Sequence, residues 1–120
     1  MKKVYYLSTC STCKRIISEL DLAGFEFQDI KVNPVNEAQL MDIHALSQSF
    51  EDLFSKRAIK YKTMGLKEKS LGEKDFKKLL LEEYTFLKRP VIRVYDKIFI
   101  GNSKKTIEAI KTYLANESDF

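Results

Sequence analysis

Tryptophan is absent, and proline, glycine, cysteine and histidine are scarce: two, four, two and one in 120 residues. So little proline and glycine excludes a low-complexity or largely disordered chain. Two cysteines and the lone His44 are too few for a structural zinc site, which takes about four ligands. No apolar run approaches the roughly 18 residues that would span a bilayer. A signal peptide is not expected either: Met1-Lys2-Lys3-Val4-Tyr5-Tyr6-Leu7 is basic and then apolar, but Ser8-Thr9 cuts the apolar stretch short. The expected compartment is the reducing cytoplasm, and no membrane partner is expected.

What is present describes a globular chain. Hydrophobic residues make up 44% and charged residues 32%, and the length suits one domain with a single core. The net charge of +4 is spread over helical stretches. We read these cations as solvated helix faces, with a bias towards anionic small molecules and no direct contact with nucleic acid. The chain is expected to be a monomer.

Periodicity orders the elements. Lys3 to Leu7 is rich in β-branched and aromatic residues and reads as a strand. Cys13 to Ala23 has helical spacing through Ile16, Leu20 and Ala23, and Gly24 follows as a stop. Phe25 to Ile30 reads as a second strand, with Phe25 and Phe27 on its apolar face. Together they predict a right-handed parallel β-α-β unit. Asn33-Pro34 breaks the pattern. Asn36 and Gln39 form a capping box for a helix carrying Leu40, Ile43 and Leu46. A short turn is expected over Phe50 to Phe54, and Ile59, Tyr61 and Met64 are expected to anchor Arg57 to Gly65. Glu73 to Tyr84 reads as a helix, with Ser70 and Glu73 as its capping box. After Arg89-Pro90, Val91 to Tyr95 and Lys97 to Ile100 predict a hairpin. Gly101-Asn102-Ser103 is a turn and cap, and Ile107, Ile110 and Leu114 mark a last helix. The tail from Asn116 is expected to fray.

This is an α/β chain: β-α-β, a helical insertion, then β-β-α. It is the order of a thioredoxin-like core with a mixed four-stranded sheet. On this reading residues 1–31 and 89–115 are the core of one domain, and 32–88 are the insertion.

The two cysteines stand three apart, in Cys10-Ser11-Thr12-Cys13, at the join of a strand and a helix. There the unpaired first-turn amides and the helix dipole favour an anion, with Lys14 and Arg15 adding charge. Cys10 is therefore the candidate nucleophile, with a pKa below that of a free thiol. Cys13, nearly one turn on and more buried, is the candidate resolving thiol. The alternative is that both simply pack in the core. In folds of this kind a proline at the place of Pro90 is cis and faces the reactive turn, so Arg89 would direct its guanidinium at Cys10. Arg57, from the insertion, is a second candidate ligand for an oxyanion or carboxylate. The face taken by Arg93 stays open, and His44 reads as a packing residue.

At this point the sequence resembles a known family: the glutaredoxin-linked arsenate reductases and their relatives, the Spx-type redox regulators. The resemblance rests on Cys10-Ser11-Thr12-Cys13-Lys14, Asn33-Pro34, Leu53-Phe54-Ser55-Lys56-Arg57, Tyr61 to Leu66, Leu87-Lys88-Arg89-Pro90 and Ile100-Gly101. It implies that Cys10 matches the cysteine that attacks arsenate, and that Arg89 matches the oxyanion-holding arginine before the cis-proline. The arsenic adduct would then be resolved by glutathione and glutaredoxin. Three positions depart from the reductases. Ser55 stands nearest their insertion arginine, while Arg57 fits the Ser-x-Arg pattern of the regulators. Asn102 stands near a third arginine, and Cys13 is an added cysteine. Charge missing from the site weakens its hold on arsenate.

Two functions therefore stand side by side. One is an arsenate reductase-like thiol–disulfide oxidoreductase with no bound cofactor and with glutathione as co-substrate. Its site would be Cys10, Cys13, Ser11, Thr12, Lys14, Arg57, Arg89 and Pro90, with no metal, and glutaredoxin or thioredoxin would be its protein partner. The other is a redox-switched regulator that binds RNA polymerase.

Overall fold

A computed structural model describes residues 1–117. Four strands form one mixed sheet, β1 (Lys2–Tyr6), β2 (Glu26–Asp29), β3 (Val91–Val94) and β4 (Lys97–Ile100), in the order β2-β1-β3-β4. β1 runs parallel to β2, with Val4 opposite Phe27, and antiparallel to β3, with Val4 opposite Ile92. β3 and β4 make the expected hairpin, and Tyr95 takes a positive φ of 55° in its turn. The helices are α1 (Ser11–Glu19), α2 (Glu37–Ser47), α3 (Ile59–Thr63), α4 (Glu73–Glu82) and α5 (Lys104–Glu117). Among the described residues, no helix is long and apolar enough to cross a membrane.

Alternation along the strands splits the core into two layers. Tyr5, Leu7 and Val91 face the side covered by the chain between β2 and β3, where they meet Leu40, Ile43, Phe54 and Phe86. Val4, Ile92 and Val94 face the other side, against Leu22, Ile110 and half-buried Ile17 and Leu114. This α/β arrangement leaves the β1–α1 turn and the β3 entry at one end of the sheet.

Several boundaries differ from the sequence expectation, each for a local reason. α1 starts at Ser11 because Cys10 is its cap, in extended conformation. It ends at Glu19, where Leu20 turns extended and the Asp21 carboxylate accepts the Ala23 N–H at 3.4 Å, a side-chain bond that competes with the helix. Gly24, at φ +83°, therefore serves the turn into β2 and is not a helix stop. In β2 the faces are the reverse of those expected. Phe27 is 47% exposed and packs edge-on against Tyr6, whereas Gln28 is buried. Its burial is compensated by a two-way amide pair with Gln39 (2.8 and 3.1 Å) and a bond to the Asn33 carbonyl.

The Asn36–Gln39 capping box is present. Ser70 and Glu73 do not form the second one. The Asp75 carboxylate accepts the Gly72 N–H at 2.8 Å, and Glu73 accepts the amides of Phe50 and Glu51 at 2.8 and 3.0 Å. Between residues 57 and 65, Tyr61 packs half-buried and edge-on against Phe54 as expected, and Ala58 is buried, followed by Leu66, whereas Ile59 is 80% exposed and Met64 faces solvent. Single 3-10 turns occur at Glu51–Leu53, Leu66–Glu68 and Tyr84–Phe86. Ser103 caps α5 by accepting the Thr106 N–H, and the helix continues through Asn116 to Glu117; the rest of the tail expected to fray lies outside the described residues.

Candidate functional site

The reactive turn is fixed from both ends. Its Cys10 N–H bonds the Leu7 carbonyl at 3.0 Å, and the Cys10 carbonyl accepts the Lys14 N–H at 3.2 Å, the first bond of α1. Asp29, at the end of β2, accepts the Ser8 amide at 3.3 Å and the Lys31 amide at 3.1 Å. These donors, the Ser8 side chain foremost, hold its carboxyl below the usual carboxylate range.

Capping places the Cys10 sulfur over the free amides of the first turn. The Cys13 N–H points at Cys10 Sγ at 3.5 Å. Burial is the largest single influence on this thiol and pushes its pKa up. The Cys13 amide and thiol and the Arg89 guanidinium together outweigh it, so the pKa lies below the ordinary 9.0. Cys13 behaves in the opposite way. It is fully buried, and burial pushes its thiol up to about 11; a bond from the Leu7 backbone opposes this, and neighbouring Cys10 adds to it. Both cysteines are free thiols, one half-exposed and one inaccessible.

The second wall is the loop before β3. The Arg89–Pro90 bond is cis, and Gly101 N–H bonds the Pro90 carbonyl at 2.9 Å. Arg89 Nη1 donates to the Thr85 and Leu87 carbonyls at 3.0 and 3.3 Å. One edge of the guanidinium is thereby tied to backbone. Its Nε is buried and has no hydrogen-bond partner among the described residues. An orphaned donor beside the Cys10 sulfur is a place for a ligand acceptor.

A third wall comes from the chain after α2. Phe54 and Leu87 form an isolated antiparallel bridge, flanked by Lys88 N–H to Leu53 O at 2.8 Å and Ser55 N–H to Phe86 O at 2.6 Å. Phe54 is fully buried and stacks on Phe86 at 4.7 Å. This stitch sets Ser55-Lys56-Arg57 alongside Lys88-Arg89. The resulting cleft, about 800 Å³, is lined by Cys10, Ser55, Arg57, Lys88, Arg89 and Asn102, with Glu51 and Asp52 at one corner.

Of the residues predicted from sequence, Cys10, Arg57 and Arg89 are brought together in this cleft. Cys13 lies beneath it and Pro90 is buried. Ser11, Thr12 and Lys14 are in the first turn of α1 but do not line it. Arg93 donates its Nε to the Tyr95 carbonyl, away from the cleft, and His44 stacks on Phe50 at 4.0 Å. Sequence reasoning passed over Lys88, whose signal was its place beside Arg89, and the Glu51-Asp52 corner, which had none.

The ArsC family profile matches residues 5–110. The chain belongs to the ArsC family. Its α/β fold agrees with that of solved relatives. A Streptococcus mutans protein described as a possible arsenate reductase is 29% identical, with a TM-score of 0.73 over 92% of this chain and 97% of that one. A Staphylococcus aureus COL protein solved by NMR is 28% identical, with a TM-score of 0.73 over 91% and 97%. Arsenate reductase from Vibrio cholerae, 14% identical, shares the fold at a TM-score of 0.66 over 94% and 98%. No curated protein matches the sequence. Family membership makes this an arsenate reductase-like thiol oxidoreductase fold.

Proposed function

We propose that the chain is a thiol–disulfide oxidoreductase in which Cys10 attacks and Cys13 resolves, with glutathione as the small thiol it exchanges. One observation carries the reading: the Cys10 sulfur caps α1 under the Cys13 amide and beside Arg89, while the Cys13 thiol is buried one turn away. The Cys10 thiolate attacks a substrate disulfide and releases one thiolate, leaving a mixed disulfide on Cys10. Cys13 then gives up its proton and attacks Cys10 Sγ. The Cys10–Cys13 disulfide forms, the second thiolate leaves, and two electrons have passed to the substrate. A reduced dithiol such as glutaredoxin or thioredoxin, or two equivalents of glutathione, restores the pair.

Charge complementarity argues against arsenate as the preferred substrate. Ser55 and Asn102 line the cleft where the reductases carry arginines, and two carboxylates share its wall. A multiply charged oxyanion would meet less compensation there. The regulator reading has one feature behind it, Arg57 in its Ser-x-Arg setting on the cleft wall.

The deciding experiment assays glutathione mixed disulfides, glutaredoxin coupling and arsenate with wild type, Cys10→Ser and Cys13→Ser. Mixed-disulfide reduction should vanish in Cys10→Ser. Cys13→Ser should stop at a glutathione adduct on Cys10, seen as a mass increase. Activity surviving in Cys10→Ser, or capture of RNA polymerase subunits by a chain without turnover, overturns the proposal.

A further inference from the structure

An anion site with a free carboxylate in its wall needs an explanation. Glu51 is neutralised within the wall by Lys56 at 2.8 Å. Asp52 is exposed, and among the described residues its carboxylate has no ion pair and no hydrogen bond; only its backbone N–H is bound, to Ser49 Oγ. Arg57 and Lys88 have no ion pair among the described residues either, and the Arg89 guanidinium keeps its Nε unbonded. The uncompensated groups facing the cleft are thus three cations and one carboxylate. Arg89 attends the Cys10 sulfur. Two cations and one anion are left for the rest of the ligand.

Size narrows the choice. A cleft of about 800 Å³ lies in the range of pockets for drug-sized molecules, far beyond what a tetrahedral oxyanion fills. Asp52 is exposed, so a hydrogen-bonded ion pair between it and a ligand ammonium has the modest strength of a surface pair.

We propose that Asp52 is a specificity residue that binds the ammonium group of a zwitterionic, peptide-like thiol or disulfide, whose two carboxylates pair with Arg57 and Lys88. This rests on the oxidoreductase reading and assigns the side chain that would discriminate among its thiol ligands. The same carboxylate repels a bare oxyanion, so one side chain both selects the ligand and disfavours arsenate.

The test is a single-turnover assay of the fully reduced protein with two probes. One is the mixed disulfide of glutathione and 2-mercaptoethanol, and the other is its N-acetylated counterpart, in which the ammonium is blocked. Each reduced chain converts one disulfide to two thiols as Cys10–Cys13 closes, so no added reductant is needed. Wild type should favour the free-amine probe by roughly 3–10-fold in second-order rate constant. Asp52→Asn should remove that preference by slowing the free-amine probe while reacting with the blocked probe at the wild-type rate or faster, and Asp52→Glu should keep it. A wild type that does not distinguish the probes overturns the proposal, as does an Asp52→Asn that slows both equally or neither. A wild type that reduces neither probe overturns the oxidoreductase reading itself, so the two failures are distinguishable.

Discussion

Iodoacetamide should label one cysteine and leave the other. The Cys13 thiol, held near a pKa of 11 by burial, is about one part in ten thousand thiolate at pH 7. Cys10 titrates below 9.0, so at least about one part in a hundred of it is thiolate. Ionisation alone favours Cys10 by about a hundredfold or more. Nucleophilicity returns roughly a factor of ten, because the less acidic thiolate is the stronger nucleophile over a gap of about two units. The remaining tenfold preference is a floor, since Cys13 is also inaccessible to the reagent and reacts only through opening of the fold. Peptide mapping by mass spectrometry after short exposures at pH 7 should find the Cys10 peptide modified first. A titration of the labelling rate should give a midpoint below that of a free cysteine. Early double labelling, or a Cys13 peptide modified as fast as the Cys10 peptide, would refute the reasoning. So would a Cys10 midpoint above 9.

Three further outcomes follow from the same geometry. Folded Cys13 stays protonated until about pH 11 while the unfolded thiol ionises near its ordinary value; its contribution is complete below that value and lost as pH rises. Urea unfolding should therefore show wild type losing about 2 kcal/mol relative to Cys13→Ala between pH 9 and 11, and parallel curves would contradict this. Phe54→Ala removes a buried ring stacked on Phe86 and should cost about 3–5 kcal/mol, lowering Tm by roughly 10 °C or more in calorimetry; a shift of only a degree or two would mean that the stitch is not part of the core. Glu73→Ala frees the Phe50 and Glu51 amides and should cost about 1–3 kcal/mol, with faster hydrogen exchange at those two amides as the specific readout.

What the sequence disclosed were features whose partners lie close along the chain. The Cys10 cap, the Asn36–Gln39 box, the β3–β4 hairpin and the Ser103 cap each involve residues a few positions apart. What it hid depended on distant partners. Gln28 is buried because Gln39, eleven residues on, returns its amide bonds, and period-two patterning put Phe27 inside instead. Glu73 looked like a helix cap, and its bonds to residues over twenty positions earlier come from tertiary packing. Ile59 and Met64 looked like anchors because apolar character alone does not say which face of a one-turn helix is covered. The cleft was half legible. Its cations stand in motif positions, but Asp52 reaches it from a segment placed by tertiary contacts, among them the Phe54–Leu87 bridge and the Glu73 bonds.

That bridge also separates chemistry from selection in this molecule. The state of the Cys10 sulfur is set by a helix terminus, a neighbouring amide and one arginine beside a cis-proline. All three belong to the sheet and to the elements joined directly to it. The groups that would sort ligands, Asp52, Ser55 and Arg57, come from a segment joined to the prolyl loop by one isolated bridge and two backbone bonds. None of these three side chains is among the groups that set the Cys10 pKa, so substitutions there would change the charge of the cleft more than the acidity of the thiol. Cys13 then links the two functions in time. Part of its raised pKa comes from neighbouring Cys10, so a mixed disulfide on Cys10, as proposed above, would remove that contribution and ease its deprotonation. In the mechanism proposed above, the Cys13 thiol would therefore be restrained while Cys10 is free and become more acidic once Cys10 carries the substrate.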